Sequence, residues 1–127
     1  MHRSRIGVVL VDHPVDRFES SAAFWAQARG STRRPDGEEP VYDSLDPLGG
    51  GIMLELQRTG AGTPPRVHLD IETDDVDAEI ARLVAAGARV EQRHEAYAVM
   101  RDPGDLVFCV VPVQTGSDFD AHATTWP

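Results

Sequence analysis

Arg66-Val67-His68-Leu69-Asp70-Ile71-Glu72-Thr73-Asp74-Asp75 carries a strand pattern that runs directly into a helix start. Up to Thr73 it alternates. Val67, Leu69 and Ile71 fall on one face, and His68, Asp70 and Glu72 on the other, which is the two-residue period of a strand with one apolar side. Asp74 and Asp75 then offer N-cap carboxylates, and Asp77 adds negative charge to the first turn of a short helix. Val76, Ile80, Leu83 and Val84 form the apolar stripe of that helix, which Gly87 stops. Residues 89–92, 96–101 and 107–113 read as three strands, with Asp102-Pro103-Gly104 turning between the last two.

Working backwards, residues 59–65 carry two prolines and two glycines and read as a linker. The part before it has the same plan. Residues 5–11 are rich in β-branched side chains and read as a strand. Asp12-His13-Pro14 punctuates, since proline fits the first turn of a helix. Val15, Phe18, Ala22, Trp25 and Ala26 come next at helical spacing, which places Trp25 in the core, and Gly30 ends that helix. Residues 33–37 read as a turn, Val41-Tyr42 as part of a short strand and residues 52–57 as a clearer strand.

Each half therefore reads strand, helix, then a set of strands. One helix cannot cover the sheet of its own half. The two halves pair into one α+β domain, two βαβββ modules forming a curved mixed sheet around a cleft with the helices outside. A ferredoxin-like α+β sandwich is the alternative arrangement of the same elements. The expected organisation is a single domain over residues 1–127. Its first module spans 5–58 and its second 66–113, and residues 114–127 form a C-terminal tail. Such tails fray unless tied down, and Phe119 and Trp126 suggest docking on this chain or on a second one.

Composition bounds the function. Across 127 residues the formal net charge is -9, which argues against a nucleic-acid partner, because phosphate binding needs a basic face. No apolar run approaches the ~20 residues that span a bilayer. The apolar run after the opening arginines is too short for the core of a secretion signal, so a cytoplasmic protein is expected. Cys109 is the single cysteine, so no intrachain disulfide can form. Its neighbours Phe108, Val110 and Val111 are apolar, the setting of a small buried hydrophobe.

The strand at 66–75, Leu83-Val84-Ala85-Ala86-Gly87-Ala88, Asp102-Pro103-Gly104 and Phe108-Cys109-Val110-Val111 resemble the second half of glyoxalase-like domains. These belong to the vicinal oxygen chelate superfamily, which includes glyoxalases, bleomycin-resistance proteins and extradiol dioxygenases. The first half agrees through Val11-Asp12, Pro14, Phe24-Trp25 and Gly30, so the resemblance covers about residues 5–113. It implies the βαβββ pair, and frequent dimerisation. It does not imply one reaction, because the superfamily hosts many. The metal enzymes of the superfamily take ligands from four strand positions, which fall here on Arg5, Glu55, His68 and Cys109. Glu55 and His68 fit that pattern. Arg5 does not, since a guanidinium has no lone pair to offer, and Cys109 stands where a carboxylate is usual. A dioxygenase needs two histidines and a carboxylate, of which His68 alone is matched.

Alternation places Met53, Glu55 and Gln57 on one face of their strand, opposite Ile52, Leu54 and Leu56, so the polar sets of both modules should line the cleft. A polar face that is simply wet is the bland alternative. The candidate catalytic residues are Glu55 and His68. The candidate ligand-binding residues are Arg5, as a fixed positive charge for an anionic oxygen, with Asp70, Gln57, Tyr97 and Cys109. His13, His94 and His122 read as surface residues. No cofactor is predicted, and a divalent metal, if held, would sit on Glu55 and His68. The expected function is binding of a small organic molecule, with metal-independent proton transfer on an anionic or carbonyl-bearing ligand. The alternatives are a metal-dependent lyase or isomerase of the glyoxalase type and a regulatory dimer without ligand. The expected partners are that small molecule and a second copy in a homodimer, with no nucleic acid and no membrane.

Overall fold

The computed structural model describes residues 1–37 and 41–127. Among the described residues the strands and α-helices follow in chain order: β1 (His2–Pro14), α1 (Phe18–Arg29), β2 (Arg34–Pro35), β3 (Tyr42–Leu45), β4 (Met53–Thr59), β5 (Arg66–Thr73), α2 (Val76–Ala85), β6 (Arg89–Arg93), β7 (Ala98–Arg101), β8 (Val107–Pro112), α3 (Ser117–His122) and β9 (Thr124–Trp126). The strands run in the order β2-β3-β4-β1-β5-β8-β7-β6, and β9 pairs with β1. The expected βαβββ order appears twice, as β1-α1-β2-β3-β4 and as β5-α2-β6-β7-β8. In each, the opening strand lies beside the closing one. The sheet is mixed, with β5 parallel to β8 and antiparallel pairs at β3–β4, β6–β7 and β7–β8. By its internal contacts the chain divides into two compact units, Met1–Val8 with Leu69–Pro127, and Val9–His68.

In the Val9–His68 unit, α1 buries Phe18 and Ala22 against Leu45 and Leu56, with Val11, Ala26 and Leu54 packed at the margin. Trp25 is not in this core, contrary to its helical spacing. It is 39% exposed and stacks edge-on against the exposed Phe24. The stripe is centred on Phe18, Ala22 and Ala26, a four-residue row, and Trp25 lies one position off it. Above the Phe18 ring sits the Arg58 guanidinium, 3.9 Å from the ring centroid. Arg58 and Arg33 both reach the buried Asp43 and the exposed Glu19. Gly30 takes a left-handed φ of 70° and closes the helix end, as its placement predicts.

In the other unit, α2 covers Ala98, Met100, Phe108 and Val110 together with Leu69 and Ile71. Asp75 caps it by accepting from the Ala78 N–H at 3.0 Å. Asp74, the other expected cap, instead accepts from the Arg3 backbone N–H at 2.8 Å and from its Nε at 2.9 Å. Val84 faces out and Glu79 faces in. Glu79 is fully buried and lies 2.9 Å from His2 Nε2 and 2.6 Å from Arg82 Nε. The tail is ordered rather than frayed: Phe119 is buried under the Arg3 guanidinium, and Trp126 Nε1 donates to Ser4 Oγ at 2.8 Å. Both aromatics thus dock on their own chain. Among the described residues no helix is long and apolar enough to cross a membrane.

Candidate functional site

Of the apolar set on β5, Val67 is 51% exposed and only the other two reach the core. Leu69 and Ile71 face the α2 core, so His68, Asp70 and Glu72 face the other way. On β8, Phe108 and Val110 face that same core, which turns Cys109 to the polar side. The parallel register then sets Asp70 opposite Cys109 and Leu69 opposite Phe108. One imidazole nitrogen of His68, one carboxylate oxygen of Asp70 and the Cys109 sulfur all lie within 4.8 Å of one another. His68 is buried, and Asp70 and Cys109 are half-buried. Cys109 is therefore not the buried hydrophobe that its neighbours suggested.

Glu72, next along the same face, is occupied by structure. It is fully buried. Its carboxylate accepts from Arg5 Nε at 2.7 Å, from Thr115 Oγ1 at 2.6 Å and from the Gln114 and Thr115 N–H groups at 2.8 and 3.0 Å. Burial pushes this carboxyl up. The donors outweigh it, the Thr115 hydroxyl and Arg5 foremost, and hold the group below its ordinary value. Arg5 also donates from Nη2 to Thr115 Oγ1 at 2.9 Å, and its side chain is largely buried. The structure thus gives Arg5, the expected anion holder, an internal carboxylate. Gly7 on β1 makes room for that carboxylate, because a Cβ there would overlap the Glu72 carboxyl.

Glu55 on β4 is also buried, and accepts from Ser44 Oγ at 2.8 Å across the β3–β4 register. Burial pushes its carboxyl up. The Ser44 hydrogen bond opposes this, and the Asp36 and Asp43 carboxylates add to the rise. In strand order β1 stands between β4 and β5, so Glu55 and His68 are not on adjacent strands. Gln57 donates to the Tyr42 hydroxyl at 3.4 Å. Tyr97 lies in the turn before β7 with its ring stacked on His94, centroids 4.4 Å apart.

The structure thus joins His68, Asp70 and Cys109, and ties Arg5 to Glu72. Sequence reasoning missed Ser44, Thr115 and Gly7. The signal for Gly7 was a glycine inside a β-branched strand, which marks a close approach of another group.

The four-position metal site that the fold implies does not fit this chain. Its first position holds a guanidinium with no lone pair, bound to Glu72. His68, Asp70 and Cys109 do fit a divalent ion, because imidazole, carboxylate and thiolate are together the donors of zinc sites.

A mixed α+β sheet built from two βαβββ repeats, with ionisable side chains on its polar face, defines the class of protein. The glyoxalase-like domain family model matches residues 8–111, and the chain belongs to that family. Among curated proteins none matches. Several solved structures share the fold. Methylmalonyl-CoA epimerase from Mycobacterium tuberculosis is 14% identical with a TM-score of 0.57, covering 86% of this chain and 87% of that one. The Mn(II)-bound glyoxalase from Novosphingobium aromaticivorans is 22% identical with a TM-score of 0.56, over 86% of this chain but 40% of that chain. A Bacillus halodurans C-125 protein reaches a TM-score of 0.59 at 10% identity, over 87% of this chain and 95% of that chain. At these identities the likeness is one of fold.

Proposed function

We propose that this protein binds a small carbonyl-bearing organic molecule on the polar face of β5 and β8 and moves a proton on it. The observation that carries the reading is the convergence of His68, Asp70 and Cys109. His68 carries the imidazole of this cluster, buried with one ring nitrogen within 4.8 Å of Asp70 and Cys109, and is the candidate base for a proton next to a carbonyl. Asp70, two residues on along the same face, orients the imidazole and stabilises its protonated form. Cys109 contributes polarisable contact to the ligand. Glu55 is the second candidate acid or base, because burial raises its carboxyl towards the working pH. Arg5 is assigned to the fold and not to the ligand, since its charge is matched by Glu72. One structure of this fold is a methylmalonyl-CoA epimerase, which makes acyl-CoA thioesters a reasonable first class of ligand to test. The working form is proposed to be a homodimer, on the strength of the family resemblance alone.

A second reading is favoured by the same donor set. His68, Asp70 and Cys109 would hold a divalent ion such as zinc, and the Mn(II)-bound glyoxalase shows that a relative of this fold holds a metal. Such an ion supplies Lewis acidity at a carbonyl oxygen.

The experiment pairs ligand screening with metal analysis. A panel of acyl-CoA thioesters, ketones and aldehydes is tested by saturation-transfer NMR on wild type, His68→Ala, Asp70→Asn and Cys109→Ala. Elemental analysis is run on protein purified without added metal. Loss of binding in the His68 and Cys109 variants with no bound ion supports the first reading. Stoichiometric zinc lost in all three variants supports the second. Unchanged binding in three folded variants places the site elsewhere.

A further inference from the structure

The opposite face of the same two strands holds a pocket that the polar site does not use. Its volume is about 240 Å³. Leu69, Ile71 and Phe108 form its floor, Leu83 closes one side from α2, and Ile6 and Leu106 stand at the rim. Ile6 is 45% exposed and Leu106 44%, so the mouth is apolar as well as the floor. The one charged side chain in the lining is Asp102, and it is turned to its own loop. Its Oδ1 accepts from the Leu106 N–H at 2.8 Å, and its backbone N–H donates to the Leu106 carbonyl at 2.9 Å. A guest would find almost no hydrogen-bonding group to meet.

The pocket is not a packing necessity of the turn beside it. Gly87 carries a φ of 114°, and a Cβ there would stand 3.2 Å from Pro103 Cγ, so the chain after α2 already meets the β7–β8 turn tightly. The space lies between that seam and the sheet. An enclosed cavity of about 150 Å³ lined by leucine, isoleucine and phenylalanine holds benzene, and this pocket presents the same kinds of side chain with one side open to solvent. A pocket of 240 Å³ exceeds that and remains below the size of drug-binding clefts, which start at roughly 300 Å³.

We infer that this pocket binds a neutral hydrocarbon group of the size of a substituted benzene ring, as a site separate from the polar face. A hydrogen-bonding or charged ligand is disfavoured, because its polar atoms would lose water and gain no partner. The pocket does not depend on the proposed function, since its residues project from the other side of β5 and β8.

The test is a methyl-NMR titration with toluene. Wild type should show saturable shifts at Ile6, Leu69, Ile71, Leu83 and Leu106. Two exposed positions then probe the pocket. Ala86→Phe fills it from the end of α2, and Leu106→Glu places a charge at its rim. Each should weaken toluene binding at least roughly tenfold, the worth of one buried isobutyl group, while the remaining amide spectrum is kept. Phenol and toluene should differ in favour of toluene. The inference is overturned if wild type shows no saturable shift up to the solubility limit, or if both variants bind as wild type does. It is also overturned if the same methyl groups shift on dilution and toluene does not compete, because a second copy of the chain then covers the pocket.

Discussion

Replacing Glu72 by alanine should be among the most damaging substitutions in this chain, although no ligand need touch it. The carboxylate is fully buried and accepts four hydrogen bonds, one of them the 2.7 Å contact from Arg5 Nε. Its removal leaves a largely buried guanidinium without its carboxylate. Breaking one side of a buried pair costs about 3–5 kcal/mol. With an unfolding entropy of about 2.1 cal/mol/K per residue over 127 residues, Tm falls by roughly 11–19 °C. Glu72→Gln keeps an acceptor for the backbone N–H groups but loses the charge, and should cost about 1.5–3 kcal/mol. The pH dependence gives a second reading. The folded carboxyl is held below its ordinary value, so the stabilisation is complete above the unfolded pKa of about 4.3 and is lost as pH falls through the folded value. The gap between wild type and Glu72→Gln should therefore narrow below about pH 4. Thermal and urea denaturation monitored by circular dichroism, from pH 3 to pH 8, measures both. A Glu72→Ala protein within about 1 kcal/mol of wild type at pH 7 would refute the buried-pair reasoning.

Three further outcomes are expected. Gly7→Ala forces a methyl group onto the locked Glu72 carboxyl and should destabilise by about 1–3 kcal/mol, an effect that vanishes when Glu72 is already alanine; denaturation of the double variant checks the coupling. Glu55→Gln should behave oppositely to Glu72→Gln. Its folded carboxyl is raised, so burying the charged form costs stability once pH passes the folded value and costs nothing below the unfolded one. The variant should gain stability at pH 8 and none at pH 3.5, as read from melting curves at the two pH values. Phe119→Ala should cost about 3–5 kcal/mol, while Trp25→Ala, on an exposed position, should stay within about 0.5 kcal/mol by urea titration.

The elements were readable because their signals are local. The strand at Arg66–Thr73, the Asp75 cap and the stop at Gly30 each involve residues within a few positions, and each element stands where the pattern puts it. Periodicity is coarser about which residue centres a stripe. Trp25 and Val84 lie one position off the buried row and face out, and Glu79 takes a core position that hydrophobicity alone would not give it. What decided Glu79 and Glu72 was distant in sequence: His2 is 77 residues from one, and Arg5 is 67 residues from the other. No spacing rule reaches that far. The meeting of Asp70 with Cys109 likewise depends on the parallel register of β5 and β8, which the order of elements does not specify. The individual candidates His68, Asp70 and Cys109 were legible as polar-face residues, and their grouping was not.

The measurement that bears most directly on the proposed function is α-proton exchange in deuterium oxide. Acyl-CoA thioesters and simple ketones bearing an α-hydrogen are incubated with wild type and with His68→Ala, and the loss of the α-proton signal is monitored by NMR. Catalysed exchange is expected on at least one of these compounds in wild type, reduced by roughly 10²-fold or more in a His68→Ala protein of unchanged fold. Exchange that proceeds equally in both proteins, or that never exceeds the buffer rate, would contradict the assignment of His68 as the base.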